Sequence, residues 1–242
     1  MKSRLSLLLL LCLFSLWSCE PSPEKKAKEL IERSIEAHGG SEAWEKISIL
    51  KFRKKTRLYN EDGTVESELD QEMEFRLKPR LEGKITWEKD SIKHVLSWDG
   101  VQMRYFMGEN EVKNPAFLAS KKKDFDAAYY TISQPWGLLG DGATLTYEGQ
   151  KTLENGKTVE SVRVDYGSDT DLWFYYFDPN SVVMVGNEVH AKDHRSLIYD
   201  LSLVEHDGLK FHGQRDSWRI DERGKRLFLR AEYVYSDYEI TY

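Results

Sequence analysis

Histidines, paired carboxylates and one cysteine are the side chains in this sequence whose types and spacing could carry chemistry. His190 and His194 flank Asp193, with His206 and His212 downstream, a composition able to hold a divalent metal. A spacing of four brings two imidazoles together on a helix. The flanking stretches 182–189 and 197–203 read as strand, where residues four apart sit about 13 Å from one another on one face. These histidines therefore read as polar residues near turns, and no metal is expected. Asp169 with Asp171, or Asp221 with Glu222, would supply a carboxylate pair for hydrolysis, yet both pairs fall in turn-like polar segments. No nucleophile elbow, zinc-protease helix motif or kinase set is present. No catalytic residue and no cofactor is expected, and a hydrolase is kept only as an alternative.

Cys19 has a different chemistry. Lys2 and Arg4 form a basic start, residues 5–14 an apolar run, and Leu16-Trp17-Ser18-Cys19 a cleavage region. The run is shorter than the about 20 residues that span a bilayer. Leu and Ser at three and one before the cysteine look like a lipobox. The reading is a signal peptide over 1–18, acylation of Cys19 with fatty acid such as palmitate, and an outer-membrane lipoprotein that faces the periplasm. Plain secretion or an uncleaved anchor are the alternatives. Residues 19–26 are polar and Pro-containing and are expected to form an unfolded tether. Cys12 leaves with the signal, so the mature chain has no second cysteine, which excludes intramolecular disulfides, thiolate zinc sites and redox pairs.

Lys and Arg total 35 against 41 Asp and Glu, a net charge of −6, with the two signs interspersed. Nucleic acid is not an expected partner. Lys121-Lys122-Lys123 is the one basic run; it reads as a solvated helix face, or as a contact to phospholipid head groups.

The elements that must position these residues are mostly strands. Ala27, Leu30, Ile31, Ser34, Ile35 and His38 share one helical face that stops at Gly39-Gly40, and Ser41 caps a second short turn. The period then changes from 3.6 to 2. Leu50, Phe52, Thr56 and Leu58 fall on the apolar side of one strand and Val65, Leu69, Met73, Phe75 and Leu77 on that of the next. A four-residue loop at Asn60-Glu61-Asp62-Gly63 would set Arg57 against Glu66, Lys55 against Glu68, Arg53 against Asp70 and Lys51 against Glu72. Strands follow near 81–87, 92–98 and 101–107. One or two helical turns after Asn114-Pro115 end before Pro135, and Gly137, Gly140 and Gly142 make a loop. Strands resume from Thr144, turning at Glu154-Asn155-Gly156, Asp178-Pro179-Asn180-Ser181, Asp207-Gly208 and Asp221-Glu222-Arg223-Gly224. Residues 172–177 are apolar on both faces and should be covered on both. A single domain over 27–242 is expected, mainly β in an α+β arrangement.

The helix, the run Ile35-Glu36-Ala37-His38-Gly39-Gly40-Ser41-Glu42-Ala43-Trp44 leading into a strand, and the long antiparallel meander with one helical interruption resemble the LolA/LolB-like lipoprotein-carrier superfamily and related envelope lipoproteins. The likeness extends to Gly208-Leu209-Lys210-Phe211 and to 233–238. It implies a curved antiparallel sheet forming an incomplete β-barrel, with helices over a cavity that accepts acyl chains or another lipid. No single carrier residue is matched.

From periodicity, Met73, Phe75, Trp87, Leu96, Trp98, Met103 and Tyr105 would line the concave face, with Trp136, Leu138 and Leu139 as a lid. A dry, packed core uses the same pattern. The leading expectation is a non-catalytic, membrane-anchored binder of an apolar ligand or acyl chain. The alternative is an envelope assembly protein that holds another envelope protein.

Overall fold

The computed structural model describes residues 20–140 and 142–242. The expected export signal, residues 1–18, and Cys19 lie outside them. The first element is helix α1, Pro23–Ala37, capped by the Ser22 side chain, which accepts from the Lys25 backbone N–H, with Pro23 in the first turn. The segment expected to be an unfolded tether is thus helical from Pro23 onward. Ser-Pro is loop chemistry in one context and a helix start in another, since proline lacks only an N–H that the first turn leaves free. Ala27, Leu30, Ile31, Ser34 and Ile35 form its buried face, as the helical period predicts. A one-and-a-half-turn helix α2, Ser41–Lys46, follows with Gly40 rather than Ser41 at its cap.

The strands are β1 (Ile49–Tyr59), β2 (Val65–Arg76), β3 (Glu82–Lys89), β4 (Ile92–Trp98), β5 (Met103–Met107) and β6 (Asn110–Glu111) before helix α3 (Pro115–Ile132). After a short 3-10 turn at Trp136–Leu139 come β7 (Thr144–Thr152), β8 (Thr158–Asp165), β9 (Leu172–Phe177), β10 (Met184–His190) and β11 (Arg195–Asp200). A ribbon of β12 (Leu203–His206) and β13 (Leu209–His212) precedes β14 (Gln214–Ile220) and β15 (Arg226–Thr241). All but the ribbon join one 13-stranded antiparallel sheet in the order β6-β5-β4-β3-β2-β1-β15-β14-β11-β10-β9-β8-β7. The sheet is curved and is not closed into a barrel.

The β1–β2 hairpin corrects the expected register. Arg57 faces Glu68, Lys55 faces Asp70, Arg53 faces Glu72 and Lys51 faces Glu74, a shift of two residues taken up by a longer loop and a bulge at Glu66. An even shift leaves every side chain on its expected face. The outward row still pairs: Arg53 Nε lies 2.6 Å from Asp70 Oδ1 and Arg57 Nε 2.5 Å from Glu68 Oε1.

Helix α3 is far longer than the expected one or two turns. Asn114 caps it through a bond from Phe117 N, and Pro115 opens it. It lies on the concave face, with Phe117 against Tyr105 of β5 and Phe125 against Phe75 of β2. Gly83 permits this approach: a Cβ there would lie 2.6 Å from the Glu74 carbonyl oxygen and 2.9 Å from the Phe125 ring. The α1 helix packs beside β7 and the 3-10 turn. Its C-terminus is held by the ribbon, where Lys210 donates its backbone N–H to the His38 carbonyl at 3.0 Å and its ammonium to the Ala37 carbonyl at 3.0 Å.

The convex face differs from expectation at β9. Trp173 and Tyr175 point inward, while Phe174 and Tyr176 point outward into a small cluster with Leu197, Tyr199, Trp218 and Ile220. No second layer covers that side among the described residues. The cluster is closed by polar groups instead: the Tyr176 hydroxyl donates to Glu188 at 2.6 Å, and Lys151 donates to both.

Phe125 is fully buried between helix and sheet. Phe125→Ala is expected to lower unfolding free energy by about 3–5 kcal/mol in urea titration. His38, at the end of α1, is buried with Nδ1 2.7 Å from the Ser34 carbonyl, and burial lowers its pKa from 6.5 to about 4. Above pH 6.5 the ring is neutral whether folded or unfolded. As pH falls toward 4, the unfolded chain takes up a proton that the folded chain refuses, so stability declines by about 3 kcal/mol across that window. Urea titrations between pH 7 and 4.5 should show a shallower decline in His38→Gln than in the native sequence.

Candidate functional site: a cavity between the sheet and helix α3

Where α3 leaves the sheet uncovered, a cavity of about 600 Å³ opens. One wall is apolar side chains of β1 to β4: Leu58, Leu69, Met73, Ile85, Trp87 and Leu96. The opposite wall is Trp173, Tyr175, Met184, Val189 and Ile198 from β9, β10 and β11. Helix α3 contributes Lys121, Asp124, Ala127, Ala128, Tyr130 and Thr131, which recur at three- and four-residue spacing and so share one face. The two alanines leave room where Phe125 and Tyr129, on the neighbouring face, fill it. Tyr130 ties the helix to the far wall, its hydroxyl 2.8 Å from that of Tyr175.

At one end of the cavity Tyr235 lines it and belongs to a packed aromatic layer of the core. Phe52 lies against Phe75, Tyr235 and Tyr238, and Tyr238 stacks on Phe211 at 4.7 Å. One inward position further along β1 stands Lys54, facing Gln71 of β2 and Tyr235 of β15 across the ladder. Its ammonium lies 4.9 Å from the Tyr233 ring centre and 5.7 Å from that of Tyr235. Burial holds its pKa below the usual lysine range.

Beside it, Arg215 enters from β14. Its Nε lies 2.7 Å from Asp200 Oδ1, and its Nη2 donates to Asn187 at 2.6 Å. His212 Nδ1 approaches the same carboxylate oxygen at 2.8 Å, and its Nε2 faces the Thr131 carbonyl at 3.2 Å. Burial works against the Asp200 carboxylate, but the adjoining Arg215 and His212 prevail and hold its pKa below the usual value. Of the charged residues lining the cavity, Lys54, Lys121, Arg215, Arg219 and Arg230 are cationic and Asp124 alone is acidic.

Met73, Trp87 and Leu96 are the expected residues that line the cavity. Phe75, Met103 and Tyr105 share the concave face but are covered, Phe75 by Phe125 and Tyr105 by Phe117. Trp98 sits under the Lys122 ammonium at 4.3 Å. The lid expectation is corrected. Trp136 stacks on Trp44 at 4.6 Å and donates its indole N–H to the Gly40 carbonyl, Leu138 is fully buried, and Leu139 is exposed. The covering element is α3. In the basic run, Lys121 pairs with Asp124 and Lys122 with Asp126.

The other candidates disperse. His190 bonds Glu188 on the convex side, His194 lines the cavity beside Asp193, His206 lies on the ribbon and His212 faces Asp200. Among the described residues no three His, Cys, Asp or Glu side chains are grouped to hold a metal. Asp221 accepts backbone N–H bonds from Lys225 and Arg223, which close its turn and lower its pKa. Asp169 and Asp171 are exposed. The residues that sequence reading missed are Lys54, Gln71, Asn187, Arg215 and Arg219. The available signal was polarity at inward positions of strands whose neighbours alternate apolar, Leu50-Phe52-Lys54-Thr56-Leu58 above all.

The chain belongs to a family of unknown function, DUF6503, whose model matches residues 3–194. No curated protein matches it. In fold it is similar to a DUF1329 family protein from Desulfovibrio piger, at 9% identity and a TM-score of 0.57, covering 91% of this chain and 94% of that one. It is also similar to a LolA superfamily protein from Nitrosomonas europaea, at 10% identity and a TM-score of 0.54, covering 89% and 94%. A third solved structure, a domain from Vibrio parahaemolyticus described as outer membrane lipoprotein-sorting, aligns at 10% identity with a TM-score of 0.54 over 90% and 93%. The fold is LolA-like.

Removing one member of the buried ion pair leaves the other charge uncompensated. Asp200→Asn is expected to cost about 3–5 kcal/mol in urea titration. Glu68→Gln, on the exposed row, should cost about 0–1 kcal/mol.

Proposed function

We propose that this protein is a non-catalytic, lipid-anchored cell-envelope protein that holds an apolar ligand or acyl chain within its open sheet. The observation that carries this reading is the cavity of about 600 Å³ walled by Leu58, Leu69, Met73, Ile85, Trp87 and Ile198. Its size falls in the range of about 300–1,000 Å³ typical of small-molecule sites. The LolA-like fold supports the reading, and so does the likeness to a domain described as lipoprotein-sorting. Residues 1–18 are the export signal and Cys19 the acylated residue, placing the protein on the outer membrane facing the periplasm. Only Glu20, Pro21 and Ser22 separate Cys19 from the start of α1, a reach of about 10 Å. The folded body therefore sits close to the lipid surface, within range of an exchanging lipid.

Two measurements test this. Cys19→Ala should move the protein out of the washed membrane fraction or leave it unprocessed and unlabelled by radioactive palmitate; unchanged acylation would refute the anchor. Native mass spectrometry of the chain from Glu20 onward, produced in a bacterial periplasm, should reveal a bound lipid-sized mass that disappears on delipidation. A clean apo mass, with no uptake of a fluorescent fatty acid afterwards, would shift the reading to an envelope interaction protein.

A further inference from the structure

The cavity's polar end is built asymmetrically. Asp124 is paired with Lys121, Arg230 with Glu66, and Arg215 with the buried Asp200, while Arg219 bonds the Ser196 hydroxyl. Among the described residues no carboxylate lies within ion-pair reach of Lys54, whose surroundings are the Tyr233 and Tyr235 rings and the positive Arg215. An ammonium partly withdrawn from water without a counter-ion costs free energy that two aromatic faces offset only in part. A methionine or leucine there would continue the apolar alternation of β1 at no such cost.

We propose that the ligand is a single-chain amphiphile with an anionic head, a carboxylate or a phosphate, seated head-inward against Lys54 in the cavity. Gln71, directly across the ladder from Lys54, is the neutral hydrogen-bonding neighbour of that head. The chain then runs outward along Leu58, Leu69 and Trp87. Desolvated charge pairing fixes orientation, and the apolar walls supply the area removed from water. Arg215 is a positioning residue here, since its guanidinium is already committed to Asp200 and Asn187. This inference rests on the proposed binding function and adds the class of ligand to it.

The test is displacement of bound Nile red from the chain spanning Glu20 to Tyr242, which contains every described element, by dodecanoate, dodecyl phosphate and dodecanol. The anionic chains should displace the dye at concentrations about tenfold or more below the alcohol. Lys54→Met should remove that difference without weakening the alcohol, and Lys54→Arg should keep it. The better of the two acids identifies the head. Near-UV circular dichroism of both variants should match the native protein, because Lys54→Met removes a half-buried charge rather than a packing group. Equal displacement by acid and alcohol, unchanged in Lys54→Met, would overturn the head-group assignment and leave the cavity reading standing. No displacement by any chain would overturn both.

Discussion

The pairing of β1 with β15 is the constraint on which the rest of the molecule depends. From β1 the sheet runs through β2 to β6 in one direction, and from β15 through β14, β11, β10, β9 and β8 to β7 in the other. Remove that ladder and the continuous sheet becomes two smaller ones with no shared concavity. Its partners, Leu50 with Ile240 or Leu58 with Ala231, lie at opposite ends of the chain, so the seam carries a loop-closure cost that local hairpins do not. Phe52, Tyr235 and Tyr238 supply apolar area at the seam, and Lys54 interrupts it in the same layer. The two outer edges stay unjoined. One is the two-residue strand β6, too short to template pairing, and the other, β7, is flanked by α1.

Helix α3 converts that open shell into two regions of different character. On one face, Phe117 and Phe125 fill the space above Tyr105 and Phe75, and the concave side of the sheet is dry core there. On the neighbouring face, Ala127 and Ala128 look across a void. Whether a concave sheet is packed or hollow is thus decided by the size of side chains on the element opposite, not by the strands themselves. That is why alternation in β2 to β5 identified Met73, Phe75, Leu96 and Tyr105 as inward without separating cavity wall from core.

The strand faces, the hairpin turns and the buried face of α1 were legible because period 2, period 3.6 and turn chemistry are local properties. Helix α3 was underestimated because lysines share its faces with the aromatics, Lys121 over Phe117 and Lys122 over Phe125, and interrupt the apolar stripe, with Phe125 and Ile132 alone fully enclosed. Trp136 was read as part of a lid from its neighbouring glycines, whereas its partner, Trp44, is 92 positions away and unreadable from local pattern. Lys54 stands at an inward position between Phe52 and Thr56, where the strand's alternation predicts an apolar residue. Its parity, not its type, distinguishes it from Lys51, Arg53, Lys55 and Arg57.

Register separates charges that organise the fold from charges that decorate it. On the outer row of β1 and β2 an acid occupies nearly every alternate position of β2, so a slip of two residues exchanges one set of opposite-charge pairs for another at little cost. Those pairs fix the face and leave the register to the loop and the bulge at Glu66. Asp200 and Arg215 are also direct partners, on β11 and β14, but both side chains are buried. A slip of two there would put a carboxylate and a guanidinium into the interior apart, each with a desolvation penalty of several kcal/mol. The apolar residues Ile198 on β11 and Ile220 on β14 would tolerate the slip, since alternation repeats every two residues. The buried pair therefore selects one register where hydrophobic pattern admits several, and in doing so it fixes the side of the cavity that faces Lys54.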